Sequence, residues 1–122
     1  MAGREEIRQR LRFAGKWVAA TTTDIFSSDV PESKMRYVVK IILVGDRVST
    51  RAVTLYRKKE DGTYEELLPG VTVKAPEYKE IPSCGYDIES PILTLEGGTN
   101  LAGKELTGVS VYVGVVYWDN DI

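Results

Sequence analysis

The sequence predicts an all-β protein, an antiparallel β-sandwich or jelly roll of about eight strands preceded by a short N-terminal helical arm. Three observations carry that expectation. Apolar residues recur with period two along most of the chain, turn-forming clusters separate these runs, and no helical pattern lies between them to serve as the crossover of a parallel sheet. With 122 residues and 43% hydrophobic content, the chain is long enough to bury one core. It divides into an arm over residues 1–15 and a sandwich domain over residues 16–122.

The arm comes first. Ile7, Leu11 and Ala14 are spaced at i, i+4 and i+7, which gives a narrow apolar stripe on a helix over residues 3–14. Glu5 and Glu6 stand where the helix dipole favours acids, and Gly15 marks the end. A helix this short must dock on something to be ordered. Residues 16–23 then read as a strand, because they are rich in aromatic and β-branched side chains. Ser27, Ser28, Asp29 and Pro31 make residues 24–33 a loop that crosses between sheets.

Residues 35–44 form a second strand, with Met35, Tyr37, Val39, Ile41 and Leu43 on one side. A turn at Gly45 and Asp46 leads into a strand over residues 50–58, and Asp61-Gly62 signals a hairpin to residues 63–65. Pro69-Gly70 reads as another turn, with short strands following at 71–74, 78–81 and 91–95. Residues 96–101, with Gly97-Gly98, read as a loop before the long last strand over 108–118. Along it Val109, Val111, Val113, Val115 and Tyr117 share one face, while Tyr112, Val116 and Trp118 share the other. The first face fills a sandwich core; the second needs a cover from the same domain or from a neighbouring subunit.

Charge and composition exclude several functions. The formal net charge of -2 argues against a general nucleic-acid binder. It is unevenly spread: residues 1–16 hold Arg4, Arg8, Arg10, Arg12 and Lys16 against Glu5 and Glu6, so a basic arm precedes an acidic body. Arg4, Arg8 and Arg12, at i, i+4 and i+8, form a charged ridge that can meet a partner. A chain without histidine lacks the commonest general base and metal ligand, which makes catalysis the weaker branch and leaves no metal or cofactor site to assign. Cys84 is the single cysteine, which rules out an intrachain disulfide, and it reads as a structural thiol.

Glu65, Glu66, Glu77, Glu80, Glu89 and Glu96 read as solvated strand or turn positions, and Asp119-Asn120-Asp121 as a frayed acidic tail. No apolar run approaches a membrane span, so a soluble, unexported chain is expected. The scarcity of Asn, Gln, Cys and Met beside many charged residues leans toward a thermophilic source.

The order Thr21-Thr22-Thr23-Asp24-Ile25-Phe26, the strands near 37–44 and 53–57, Ile81-Pro82, Ile92-Leu93-Thr94-Leu95, Gly97-Gly98 and the valine-rich end resembles small β-sandwich virion proteins of tailed phages, of head-decoration, fibre-base or neck type. The resemblance spans about residues 20–118 and is one of strand order. It implies a non-enzymatic virion protein, assembled in the host cytoplasm, that self-associates and attaches to a capsid or tail protein. Surplus apolar area independently nominates an association surface of Ile42, Tyr112, Val116 and Trp118, with Ile7, Leu11 and the basic ridge on the arm. A homotrimer is the expected oligomer. The alternatives are a carbohydrate-binding or adhesive module, which requires aromatic rings exposed side by side, and a small jelly-roll enzyme with two converging carboxylates.

Overall fold

The computed structural model describes residues 3–45, 48–75, 77–83 and 85–122. One helix, α1 (Arg4–Arg10), precedes nine strands: β1 (Arg12–Val18), β2 (Thr23–Asp24), β3 (Lys34–Val44), β4 (Arg51–Lys58), β5 (Tyr64–Val73), β6 (Lys79–Ile81), β7 (Leu93–Leu95), β8 (Asn100–Glu105) and β9 (Val111–Asp121). They form two antiparallel sheets. In the first the order is β1-β9-β3-β6, with β7 also on β3; in the second it is β2-β8-β4-β5. The sandwich expected from the sequence is the observed class. Among the described residues, no helix is long and apolar enough to cross a membrane.

Between the sheets lies a core built around Val18, Val38, Ile41, Leu43, Val53, Leu55, Leu101, Val111, Val113 and Val115. The odd-numbered valines of β9 point into it, as alternation requires. The crossing segment after β2 adds Ile25, Phe26 and Val30.

Several boundaries differ from those read in the sequence. The helix stops at Arg10 because Leu11 turns to extended backbone (φ -60°, ψ 134°). Gly15 therefore lies inside β1, paired with Gly114, and Arg12 belongs to a strand, so it does not extend a helical ridge with Arg4 and Arg8. The expected strand at 16–23 divides, with β1 in one sheet and β2 in the other.

Pro69-Gly70 does not end a strand. It sits inside β5, where the register with β4 shifts near Leu55 and the Gly70 amide donates to Thr54 Oγ1 at 3.1 Å. Proline is tolerated there because β5 is an edge strand. Asp46 of the turn expected at Gly45 and Asp46 lies outside the described residues, as does Cys84.

Strand β8 replaces part of the expected loop at 96–101. Its sequence, Asn-Leu-Ala-Gly-Lys-Glu, lacks β-branched residues, yet it lies centrally between β2 and β4. The Asn100 side chain supplies part of the order. Its Oδ1 accepts from the Phe26 and Leu101 amides at 3.2 and 2.8 Å, and its Nδ2 donates to Phe26 O at 3.1 Å and Asp29 Oδ1 at 3.0 Å.

Nor does the acidic end fray from the sheet, because Asp119 and Asp121 lie in β9 opposite β3 and pair with Arg36 and Lys34.

In β3 the register with β9 shifts between Val38 and Lys40. As a result Ile41 and Leu43 face the sandwich core, while Tyr37 and Val39 join a second cluster on the outside of the sheet. The expected common face from Met35 to Leu43 is thus broken in the middle, because one extra residue in a β-bulge reverses the alternation that follows.

Candidate functional site

The outer face of the first sheet carries the apolar excess noted in the sequence. Two halves of this face differ. One half is built from Trp118 and Val116 of β9 with Tyr37 and Val39 of β3, and is covered by Ile7 and Leu11 from the N-terminal segment and by Ile88 from the connection between β6 and β7. Tyr37 and Trp118 stack at 4.7 Å with a 34° tilt. Ile7 and Trp118 are buried by their own chain.

Charge pairs fasten this cover. Arg4 reaches Glu89 at 3.2 Å and Asp87 at 3.4 Å, tying α1 to the β6–β7 connection. Arg10 contacts Asn120 of β9 at 3.2 Å and Glu6 at 2.6 Å. Lys40 pairs with Glu80 at 3.0 Å and donates to Gly85 O at 3.3 Å. Arg8 bonds Glu5, and Arg12 donates to the carbonyls of Gln9 and Leu11. The exposed pairs of Arg4 and Arg8 fix geometry more than they add stability, whereas Lys40 is buried.

The other half is open. Phe13 and Trp17, on the edge strand β1, are 58% and 57% exposed. Tyr112 of β9 lies beside Trp17, their ring centroids 5.5 Å apart and their planes at 65°. The rings are seated over a cross-strand glycine pair. A Cβ at Gly15 would collide with the Tyr112 ring and hydroxyl, and one at Gly114 would lie 2.9 Å from Phe13 Cζ. Both glycines are needed because the aromatic side chains occupy the space directly above them. Ile42 flanks the row from β3, opposite Gly114.

Of the nine positions nominated from the sequence, Ile42 and Tyr112 border this open area, whereas Ile7, Leu11, Val116 and Trp118 form the covered half. Phe13 and Trp17 are not among those nine: the sequence carries no reading of Phe13 as a surface residue and favours burial or subunit contact for Trp17, and the alternation of both with Arg12, Ala14 and Lys16 was the available signal.

The fold is similar to that of the Drosophila NLP-core. That structure, described as giving insight into pentamer formation and histone binding, matches with a TM-score of 0.50 and 18% identity over 92% of this chain and 99% of that one. At that identity the likeness concerns the fold alone. A structure of the infectious bursal disease virus Gt strain aligns with a TM-score of 0.42 and 11% identity, covering 92% of this chain and 33% of that one, too loosely to support an argument. No family model matches the sequence, and no curated protein matches it. The tailed-phage resemblance accordingly rests on strand order.

Several of the carboxylates are engaged in structure. Glu65 pairs with Arg57, Glu80 with Lys40 and Glu89 with Arg4. The buried Glu105 accepts hydrogen bonds from the amides of Ala52, Thr107 and Val109 and from the Thr107 hydroxyl, at 2.7 to 3.1 Å. Burial opposes its ionisation, but these donors outweigh it and hold its pKa below the usual glutamate value. Among the described residues, no group of three or more acidic or sulfur side chains is placed to hold a metal.

Proposed function

We propose that this chain is a non-enzymatic structural protein that self-associates through the open aromatic half of its first sheet. The observation that carries this reading is the exposure of Phe13 and Trp17 beside Tyr112 on an edge strand. A second copy can cover the rings and satisfy the edge of β1 together. Burying each large side chain contributes about 1.5 to 3 kcal/mol, so a symmetric contact engages several such contributions per interface. The pentamer named for the similarly folded NLP-core supports a closed ring. The sequence reading favours three subunits and a place on a viral capsid or tail.

Sugar binding fits less well. A sugar face stacks on rings that share a plane, whereas Trp17 and Tyr112 stand 65° apart.

Light scattering during size-exclusion chromatography tests the proposal and counts the subunits. The wild type is expected to elute as one oligomer, and the double variant Phe13→Ser with Trp17→Ser as a folded monomer. A monomeric wild type at high concentration, or an oligomer unchanged by both substitutions, would overturn it.

A further inference from the structure

Away from the aromatic face, the sandwich is open along one side. Strand β6 pairs with residues 41–43 of β3 and β7 pairs with residues 36–38, so the sheet edge is interrupted at Val39 and Lys40, where the connecting chain departs to cover the outer face. Opposite this gap, the register shift between Leu55 and Tyr56 gives β5 an extra residue, and both Leu67 and Leu68 pack toward the core. Between the two irregular edges lies a cavity of about 240 Å³. Its base is Leu55, its walls are Leu67 and Leu68 on one side and Ile81, Ile92 and Leu93 on the other, and among the described residues every lining side chain is leucine or isoleucine. Ile92 is 40% exposed and so stands at the mouth.

We propose that this cavity binds a small uncharged apolar molecule, either a single-ring aromatic or a short aliphatic chain, admitted past Ile92. The chemistry follows from the lining. Among the described residues no lining side chain can hydrogen-bond water or pair with a charge, so a charged ligand would find no side chain to replace its hydration. An enclosed apolar cavity of about 150 Å³ lined by leucine, isoleucine and phenylalanine stays dry and admits benzene, so the larger, open-mouthed volume here suits a ligand of about ten heavy atoms. The two bulged edges and the departing connection form the opening without breaking the core beneath it.

The test is methyl NMR of the whole chain titrated with benzene, toluene and n-hexanol, with hexanoate as the charged counterpart. Saturable shifts are expected at the methyl groups of Leu55, Leu68 and Ile92 with the three neutral probes, and weaker ones with hexanoate. Ile92→Trp, at an exposed position that leaves the core intact, should close the mouth and weaken binding by about tenfold or more. Trp17→Ser, on the aromatic face, should leave the affinity unchanged. The proposal is overturned if none of the neutral probes gives saturable shifts, if Ile92→Trp binds as the wild type does, or if the shifts centre on Trp17 and Tyr112. Its failure would leave the self-association reading untouched, since that reading rests on another surface.

Discussion

Arg36 and Asp119 face each other across β3 and β9 in a two-pronged ion pair, Nε to Oδ1 at 2.7 Å and Nη2 to Oδ2 at 2.8 Å. The same guanidinium packs against two rings that touch each other edge to face, with its central carbon 4.4 Å from the centroid of Phe26 and 4.5 Å from that of Tyr117. Burial would lower the Arg36 pKa, but the hydrogen bonds and charge of Asp119 more than compensate and raise it. The pair closes one end of the core and ties the crossing segment to the first sheet.

Arg36→Lys should therefore destabilise the fold by about 2 kcal/mol, because an ammonium keeps the charge but loses both the fork and the stacking. Urea denaturation measures the loss. A wild-type midpoint in this variant would show that charge alone suffices.

Glu105 makes stability depend on acid. Its folded pKa is depressed, so its contribution is fully present above the ordinary glutamate pKa and is lost as pH falls through the folded value. As pH falls below the ordinary glutamate range the wild type should lose stability more steeply than Glu105→Gln, which at neutral pH should be less stable by about 2 kcal/mol. Parallel pH profiles would remove Glu105 from this role.

For Asn100, both ends of the side-chain amide are used. Asn100→Ala should cost about 3 kcal/mol, and Asn100→Asp should not rescue it, since a second oxygen would face the Phe26 carbonyl and the Asp29 carboxylate. Thermal unfolding of the two variants separates the donor role from the acceptor role.

Ile7 is the deepest anchor of α1. In a Trp17→Phe background, which leaves Trp118 as the single indole, Ile7→Ala should red-shift tryptophan emission and cost about 2 kcal/mol or more. An unshifted spectrum would mean that the helix does not hold the cover over Trp118.

The sheets were legible where alternation was strong and unbroken, as in β9, where Val111, Val113, Val115 and Tyr117 turn to the core and Val116 and Trp118 to the outer cluster. Legibility failed where order comes from contacts distant in sequence. Nothing local marks Asn100 to Glu105 as a central strand, because the groups that complete it, Phe26 and Ala52, are far away along the chain. Gly15 read as a helix end because its partner, Gly114, and the ring of Tyr112 above it are remote. The association surface was half legible: the outer face of β9 was found, but its intramolecular cover by Ile7 and Ile88 depends on tertiary packing.

The bulge at Val39 leaves β3 with two phases. Before it, even-numbered Val38 looks inward; after it, odd-numbered Ile41 and Leu43 do. Loss of one residue there would turn the strand into a uniform repeat with only one of its segments correctly oriented. Length at that point is consequently as constrained as identity, and a neutral-looking deletion would scramble the protein more thoroughly than most substitutions of the residues around it.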